Sequence, residues 1–275
     1  MVVHRPLLRP VPTSLFTHLV PAARICVRQV HVLRTPIVGT KTTMPTPNEE
    51  AVRSLLAAPE VAPLKKTSSW SILCAALTSA NMPSVIPPAV TVMVKEVTTK
   101  DNSEIVRFLR VGREAIFKAY TVAGTPKAIN GLTEFRTAAM EQCPEAWKEL
   151  EDTTAASRIP EGFSDVQAWT ARGEEMFDTI YNRSATRLKT ILSGIHPDLL
   201  PLILSESYGK VLSNGDALDL KDTELVMVAA LKVQGGAVSK QVESHRRGAI
   251  RMGVSQAEVE AAEFIADQIV VRFVE

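Results

Sequence analysis

Two polar side chains on one apolar helix face carry the chemistry that this sequence offers. In "QGGAVSKQVESHRRGAIRMGVSQAEVE", residues 234–260, a helical projection at about 100° per residue puts Val238, Val242, His245, Ala249 and Met252 within about 40° of one line. Lys240, Glu243, Arg247 and Arg251 take the opposite side. His245 is centred on the stripe that should face inward, and Gln241 stands one turn earlier on its edge. An inward imidazole is either a hydrogen-bonded packing residue or a proton carrier that works near neutral pH. Two polar groups at i and i+4 on a buried face need partners, and a cleft holding water or a ligand supplies them. Gly248 and Ala249 would let a neighbouring helix approach closely at the same place.

The elements that must position this pair read as helices. The 275-residue chain is 45% hydrophobic but only 5% aromatic, rich in Ala, Val and Leu, with Gly and Pro falling mostly between periodic segments. Thr46, Pro47 and Glu49 predict a helix start before "EEAVRSLLAAP". Further helices are expected in "SWSILCAALTSA", in 88–98 and in 103–123, followed by a Gly/Pro turn and a last short helix in "AGTPKAINGLTEF". In the second half, a Ser164/Gln167 capping box is expected to open a helix that runs to the break at Gly194. Asp222 is expected to cap "TELVMVAALKVQ", which is apolar almost all round and therefore central. Gly235 and Gly236 end that helix, Gly253 ends the His245 helix, and Ser255 with Glu258 predicts a capping box for the last one.

A net charge of +1 hides an asymmetry. Residues 1–48 contain Arg5, Arg9, Arg24, Arg28, Arg34 and Lys41 with no acid, so subtracting those six charges leaves about −5 on the rest. An Arg-bearing, hydroxyl-bearing, acid-free start reads as a mitochondrial targeting segment over 1–43, which puts the mature protein in the matrix; a basic tail without a targeting role is the alternative. The remainder is not basic enough to suggest nucleic acid as a partner. No apolar run approaches the length of a membrane anchor, so no membrane insertion is expected. Cys26, Cys74 and Cys143 form no CxxC and no metal-type spacing, which gives no metal site and makes Cys74 and Cys143 small buried hydrophobes.

Shifting the chain by 154 residues lays Ala75, Ala76 and Leu77 on Ala229, Ala230 and Leu231, and Glu104 and Ile105 on Glu258 and Val259. The same shift sets Thr91 opposite His245 and Pro87 opposite Gln241. The expected organisation is therefore a targeting segment (1–43), a short helix and linker (44–67), a degenerate helical half (68–145) and a second helical half (160–275). The all-round apolar helix at 223–233 and the apolar final helix need more cover than one half supplies, which predicts a packed pair of halves and a homo-oligomer.

The stretch from "ESYGKVLSNGDALDLKDTELVMVAALKVQ" through "GVSQAEVEAA" resembles the carboxymuconolactone decarboxylase family. The resemblance rests on Tyr208, Gly209, Ser213, Leu218, Glu224, Leu225, Ala229, Gln241, His245, Gly248 and Gly253. It is specific over about 172–270 and fainter over 68–135, where Arg113, Glu114, Gly124, Pro126, Asn130 and Leu132 carry it. It implies an all-α, alkylhydroperoxidase D-like helical bundle, here as two fused, diverged copies. The peroxidase branch of that fold has cysteines where this chain has Val238 and Gln241, so neither an attacking nor a resolving thiol is present and peroxidase activity is disfavoured.

The decarboxylase branch implies chemistry without a cofactor on a small carboxylated or lactone-type substrate. Loss of CO2 pushes electrons toward a carbonyl, and the protein must stabilise that oxygen and deliver a proton to carbon. His245 is the proton carrier in this reading. Glu224 is the second catalytic candidate, with a first-turn dipole role as its alternative. Gln241, Tyr208 and Arg246 are the substrate contacts, Arg246 for a carboxylate. Asn214 stands where the family often has Arg, which suggests a different or less anionic substrate. A non-catalytic binding or assembly protein on the same fold is the alternative function.

Overall fold

Capping and glycine geometry decide where the helices of this chain begin and end. The computed structural model describes residues 46–97, 101–154, 158–159 and 162–274, so the expected targeting segment lies outside the described residues. Those residues belong to one unit, 44–275, and show helices and no strand. The α-helices are α1 (Pro47–Leu56), α2 (Lys66–Ser79), α3 (Ile86–Glu96), α4 (Asn102–Ala123), α5 (Thr125–Gln142) and α6 (Pro144–Asp152). They continue with α7 (Phe163–Tyr181), α8 (Ala185–Ile195), α9 (Leu199–Leu202), α10 (Leu220–Lys232), α11 (Ser239–Arg251) and α12 (Gln256–Ile269). A π-helix, Ile203–Leu212, runs on from α9.

Several ends follow the expected chemistry. Thr46 accepts from the Glu49 amide, and Ser255 and Glu258 cap each other reciprocally. Gly235 and Gly253 take φ of 84° and 87°, the left-handed region that stops a helix at low cost only with glycine.

Other ends correct the expectation. Gly162, not Ser164, precedes α7, and no side chain caps it. The helix meant to run to Gly194 breaks earlier, at Asn182, whose φ is 47°. Asp219 caps α10 by accepting from the Asp222 amide at 2.8 Å, while Asp222 itself accepts from Ser68 Oγ at 2.7 Å. The short helix expected in "AGTPKAINGLTEF" is the 18-residue α5. Gly131 does not interrupt it, because a Cβ there would stand 2.8 Å from Thr78 Oγ1, and the bare backbone lets α2 pack close.

The core is built on α2 and α10. From Ser68 to Ser79, every residue of α2 is buried, and so is every residue of α10 from Thr223 to Leu231. The two helices pack on one another, α4 packs on both, and α12 does the same. One apolar cluster accordingly takes in Leu73, Leu77, Leu109, Val226, Ala230 and Ile265. The starts of α2 and α10, α3 and α11, and α4 and α12 lie 154, 153 and 154 residues apart. A smaller cluster of Met176, Phe177, Ile180, Tyr208, Leu212 and Met227 joins α7, the π-helix and one face of α10.

Candidate functional site

That smaller cluster forms the wall of a cavity. Its position is set by two glycines at which α7 meets the π-helix backbone to backbone. A Cβ on Gly173 would lie 2.0 Å from the Leu204 carbonyl oxygen, and one on Gly209 would lie 2.1 Å from that of Trp169. No side chain fits at either position, and this contact fixes the neighbouring Tyr208 against α7.

The cavity, about 360 Å3, is bounded by α4, α7, α8, the π-helix, α10 and α11. Phe177, Leu188, Leu192, Ile203, Leu212 and Met227 give it apolar walls, while Tyr181, Tyr208, Gln241, Ser244 and His245 supply polar groups. A site of this size with apolar sides and few polar atoms suits one small organic molecule.

His245 is buried at the base of the polar side, 4% exposed. Its Nδ1 lies 3.0 Å from Oε2 of Glu224, which is fully buried on α10. Gly248 on α11 makes room for this pair: a Cβ there would come within 2.8 Å of Glu224 Oε2. A buried carboxylate needs a charged or hydrogen-bonding partner, and His245 is that partner for one oxygen. Glu224 Oε1 has no hydrogen-bond partner among the described residues. With Nδ1–H donating to the carboxylate, Nε2 is the ring nitrogen left for the cavity contents.

Two phenols stand beside the imidazole. Tyr181 and Tyr208 share a hydrogen bond of 3.1 Å between their hydroxyls. The Tyr208 ring lies within 6° of parallel to His245, with centroids 6.4 Å apart, and meets Phe177 edge to face. Burial raises the pKa of both phenols above the ordinary tyrosine value, so they stay protonated and able to donate at neutral pH.

The expected site residues fall into three groups. His245 and Tyr208 line the cavity, buried, and Gln241 lines it at the exposed rim. Glu224 does not reach the cavity and stands behind His245. Arg246 is a correction: its guanidinium is held by Glu243 and Glu263, each at 3.3 Å, on the far side of α11 from the cavity. Lys240 is the cation at the rim, and among the described residues it forms no ion pair. Sequence reasoning passed over Lys240 because it projects onto the polar face, and missed Tyr181. Tyr181 carries one signal, a spacing of four from Phe177 that puts both rings on one face of α7.

Among the described residues, no cluster of His, Cys, Asp or Glu could hold a metal ion, and no helix is long and apolar enough to cross a membrane. Cys74 and Cys143 are buried free thiols, and burial raises both pKa values, that of Cys143 to about 11.

The chain is similar to two curated proteins, both named Peroxisomal protein 2. It is 28% identical to that of Saccharomyces cerevisiae over 171 residues, 56% of this chain and 58% of the relative. It is 29% identical to that of Schizosaccharomyces pombe over 157 residues, 57% of this chain and 67% of the relative. The chain thus spans little more than half the length of the first relative and about two thirds of the second. No solved structure matches the chain. The carboxymuconolactone decarboxylase family model matches residues 200–270. The matched stretch contains Tyr208, Glu224, Gln241 and His245, and over these residues the chain is similar to the carboxymuconolactone decarboxylase family.

Proposed function

We propose that the chain is a cofactor-independent acid/base catalyst, decarboxylase-like, acting on a small carboxylated or lactone-type metabolite in the His245 cavity. The observation that carries this reading is the Glu224–His245 pair behind an apolar pocket. A purely structural pair would satisfy both carboxylate oxygens, whereas Glu224 spends one on His245 and leaves Oε1 without a hydrogen bond among the described residues. The carboxylate fixes the imidazole's tautomer and orientation, so Nε2 faces the substrate as the nitrogen that exchanges a proton with it. As the bond to CO2 breaks, its electron pair moves into the conjugated system toward the carbonyl oxygen. A tyrosine hydroxyl or the Gln241 amide donates a hydrogen bond to that oxygen, and the imidazolium protonates the carbon. Lys240 takes the carboxylate-binding role first given to Arg246.

The test is CO2 release from unsaturated lactone carboxylates in D2O, with deuterium at the product carbon. The expected loss in kcat is about 100-fold or more for His245→Asn and about 10- to 100-fold for Glu224→Gln. Saturable binding to the cavity without turnover of any such acid would favour the second reading, a binding protein on the same fold; Asn214 in place of the family's Arg is what supports it.

The matching element spacing supports a further proposal, that the two helical halves are diverged copies. At a separation of 154 residues, Trp70 stands opposite Glu224; its indole donates to the Phe108 carbonyl at 2.9 Å and fills the space with apolar bulk. The mitochondrial matrix remains a proposal resting on residues 1–48, and the relatives' name makes the peroxisome its competitor. Imaging of a fluorescent fusion at the C-terminus of the full chain, with and without residues 1–43, separates the two. Exposed Ile195, Leu202 and Val271 support the proposed homo-oligomer, and light scattering at low micromolar concentration tests it.

A further inference from the structure

A second concave site lies between the first half of the chain and residues 214–217 of the second, and shares no lining residue with the His245 cavity. A cleft of about 650 Å3 opens between α4, α5, residues 153–154 and 158–159, and the turn before α10. Arg110 and Arg113 stand one turn apart on α4, and both line it. Like charges at i and i+3 repel, and burial followed by the Arg110 charge lowers the Arg113 pKa.

The carboxylates near Arg113 are Glu114 and Glu151, and each has another cation beside it. Glu114 is bound by Arg158, and Glu151 lies 3.7 Å from Arg136. Asp216, also at the cleft, accepts from the Asn214 side-chain amide. Among the described residues, neither Arg110 nor Arg113 forms an ion pair. Arg110 donates to Thr153 Oγ1 at 3.2 Å, and the Arg113 guanidinium rests over the Trp147 ring at 5.6 Å. A guanidinium over an indole face is held there by the ring's quadrupole and keeps N–H donors with which it can meet an oxyanion.

The rest of the cleft includes the apolar side chains of Leu132 and Ala217, and Phe117, whose ring lies under the Arg158 guanidinium at 5.0 Å. Its far wall is held by buried Lys118, whose Nζ donates to the carbonyls of Leu212 and Asn214 at 3.0 and 2.7 Å and to Thr223 Oγ1 at 2.6 Å. Two cations that form no ion pair among the described residues, an apolar floor and a pinned wall make a preorganised receptor for an anion with an apolar body.

We propose that this cleft binds a small carboxylic acid, its carboxylate held by Arg110 and Arg113 and its apolar body lying on Leu132 and Ala217. The test is calorimetric titration of the full chain with phenylacetate, 4-phenylbutyrate and octanoate, with 4-phenylbutyramide as the neutral control. Saturable binding is expected for at least one acid and not for the amide. It should weaken at least tenfold in Arg113→Gln and in Arg110→Gln, and stay unchanged in His245→Ala, which separates this cleft from the His245 cavity. Thermal unfolding checks that each variant is folded; if Arg113→Gln is not, Ala217→Phe, which fills the cleft, should abolish binding. No saturable binding of any of the three acids, equal binding in folded Arg113→Gln, or loss of binding in folded His245→Ala would overturn the proposal.

Discussion

His245 Nδ1 and Glu224 Oε2 meet at 3.0 Å across the α10–α11 contact, and both side chains are buried. The imidazole is the protein's hydrogen-bond partner for a carboxylate that has no exposure to solvent. Removing one member therefore differs from removing both. His245→Ala should cost about 3–5 kcal/mol, because it strands a buried carboxylate. The double replacement Glu224→Leu with His245→Ala should cost well under the sum of the two single changes, since no charge is left unpaired. Urea unfolding of the four proteins in the cycle measures this, and additive losses would mean that the pair has no coupling.

Gly248 and Gly194 make a controlled comparison of one substitution. At Gly248 on α11, an added methyl would press on Glu224 Oε2 at 2.8 Å and on Ile180 Cγ2 at 3.0 Å; at Gly194 on α8 it would meet nothing within 4 Å. Alanine is the better helix former by about 1 kcal/mol, so Gly194→Ala should raise stability by about 0.5–1 kcal/mol. At Gly248 the overpacking of about 1–3 kcal/mol opposes that gain and displaces Glu224 from His245. Gly248→Ala should therefore be neutral to destabilising in denaturant melts and should lower kcat in the CO2-release assay. A Gly248→Ala protein as stabilised as Gly194→Ala would show that the glycine gives Glu224 no room.

The sequence showed the helices, the inward face of His245 and its company with Gln241, because those depend on local periodicity. It did not show what faces that helix from elsewhere in the chain. Glu224 reads as a first-turn acid until α10 is packed on α11, and Tyr181 reads as one aromatic among few until the Gly173–Gly209 contact brings Tyr208 against it. Arg246 does not line the cavity: it projects from the side of α11 opposite to it, where Glu243 and Glu263 hold its guanidinium. Spacing places a side chain on a face, while the partner that captures its head group comes from another element.

Buried thiols make a redox prediction. Cys74 and Cys143 are 1% and 7% exposed, and burial raises both pKa values, so thiolate is scarce at neutral pH. The native protein should react slowly with a disulfide probe such as DTNB until unfolded, and should not turn over peroxide with a dithiol reductant. Peroxide turnover that vanishes in Cys74→Ser or Cys143→Ser would overturn this.

Lys118 predicts a pH dependence of opposite sign to that of the thiols. Burial lowers its pKa from 10.5 to about 8, partly offset by Glu114, Asp219 and Glu224. Between those two values the unfolded chain holds the proton and the folded chain releases it. The folded state is therefore favoured as pH rises through that window, and below about 8 the cost of the buried ammonium is present in full. Cys143 works the other way, because its raised pKa makes the unfolded chain lose the proton first. Comparing the wild type with Lys118→Met cancels the thiol and phenol contributions. At neutral pH the variant should be less stable by about 1–3 kcal/mol, since the carbonyls of Leu212 and Asn214 lose their donor. From about pH 8 to 10.5 the gap should widen in favour of the wild type, at most by about 1.4 kcal/mol per pH unit. Urea midpoints at pH 7.5, 9 and 10 give the measurement, and a gap that stays constant would mean that Lys118 carries the same charge in both states across the window.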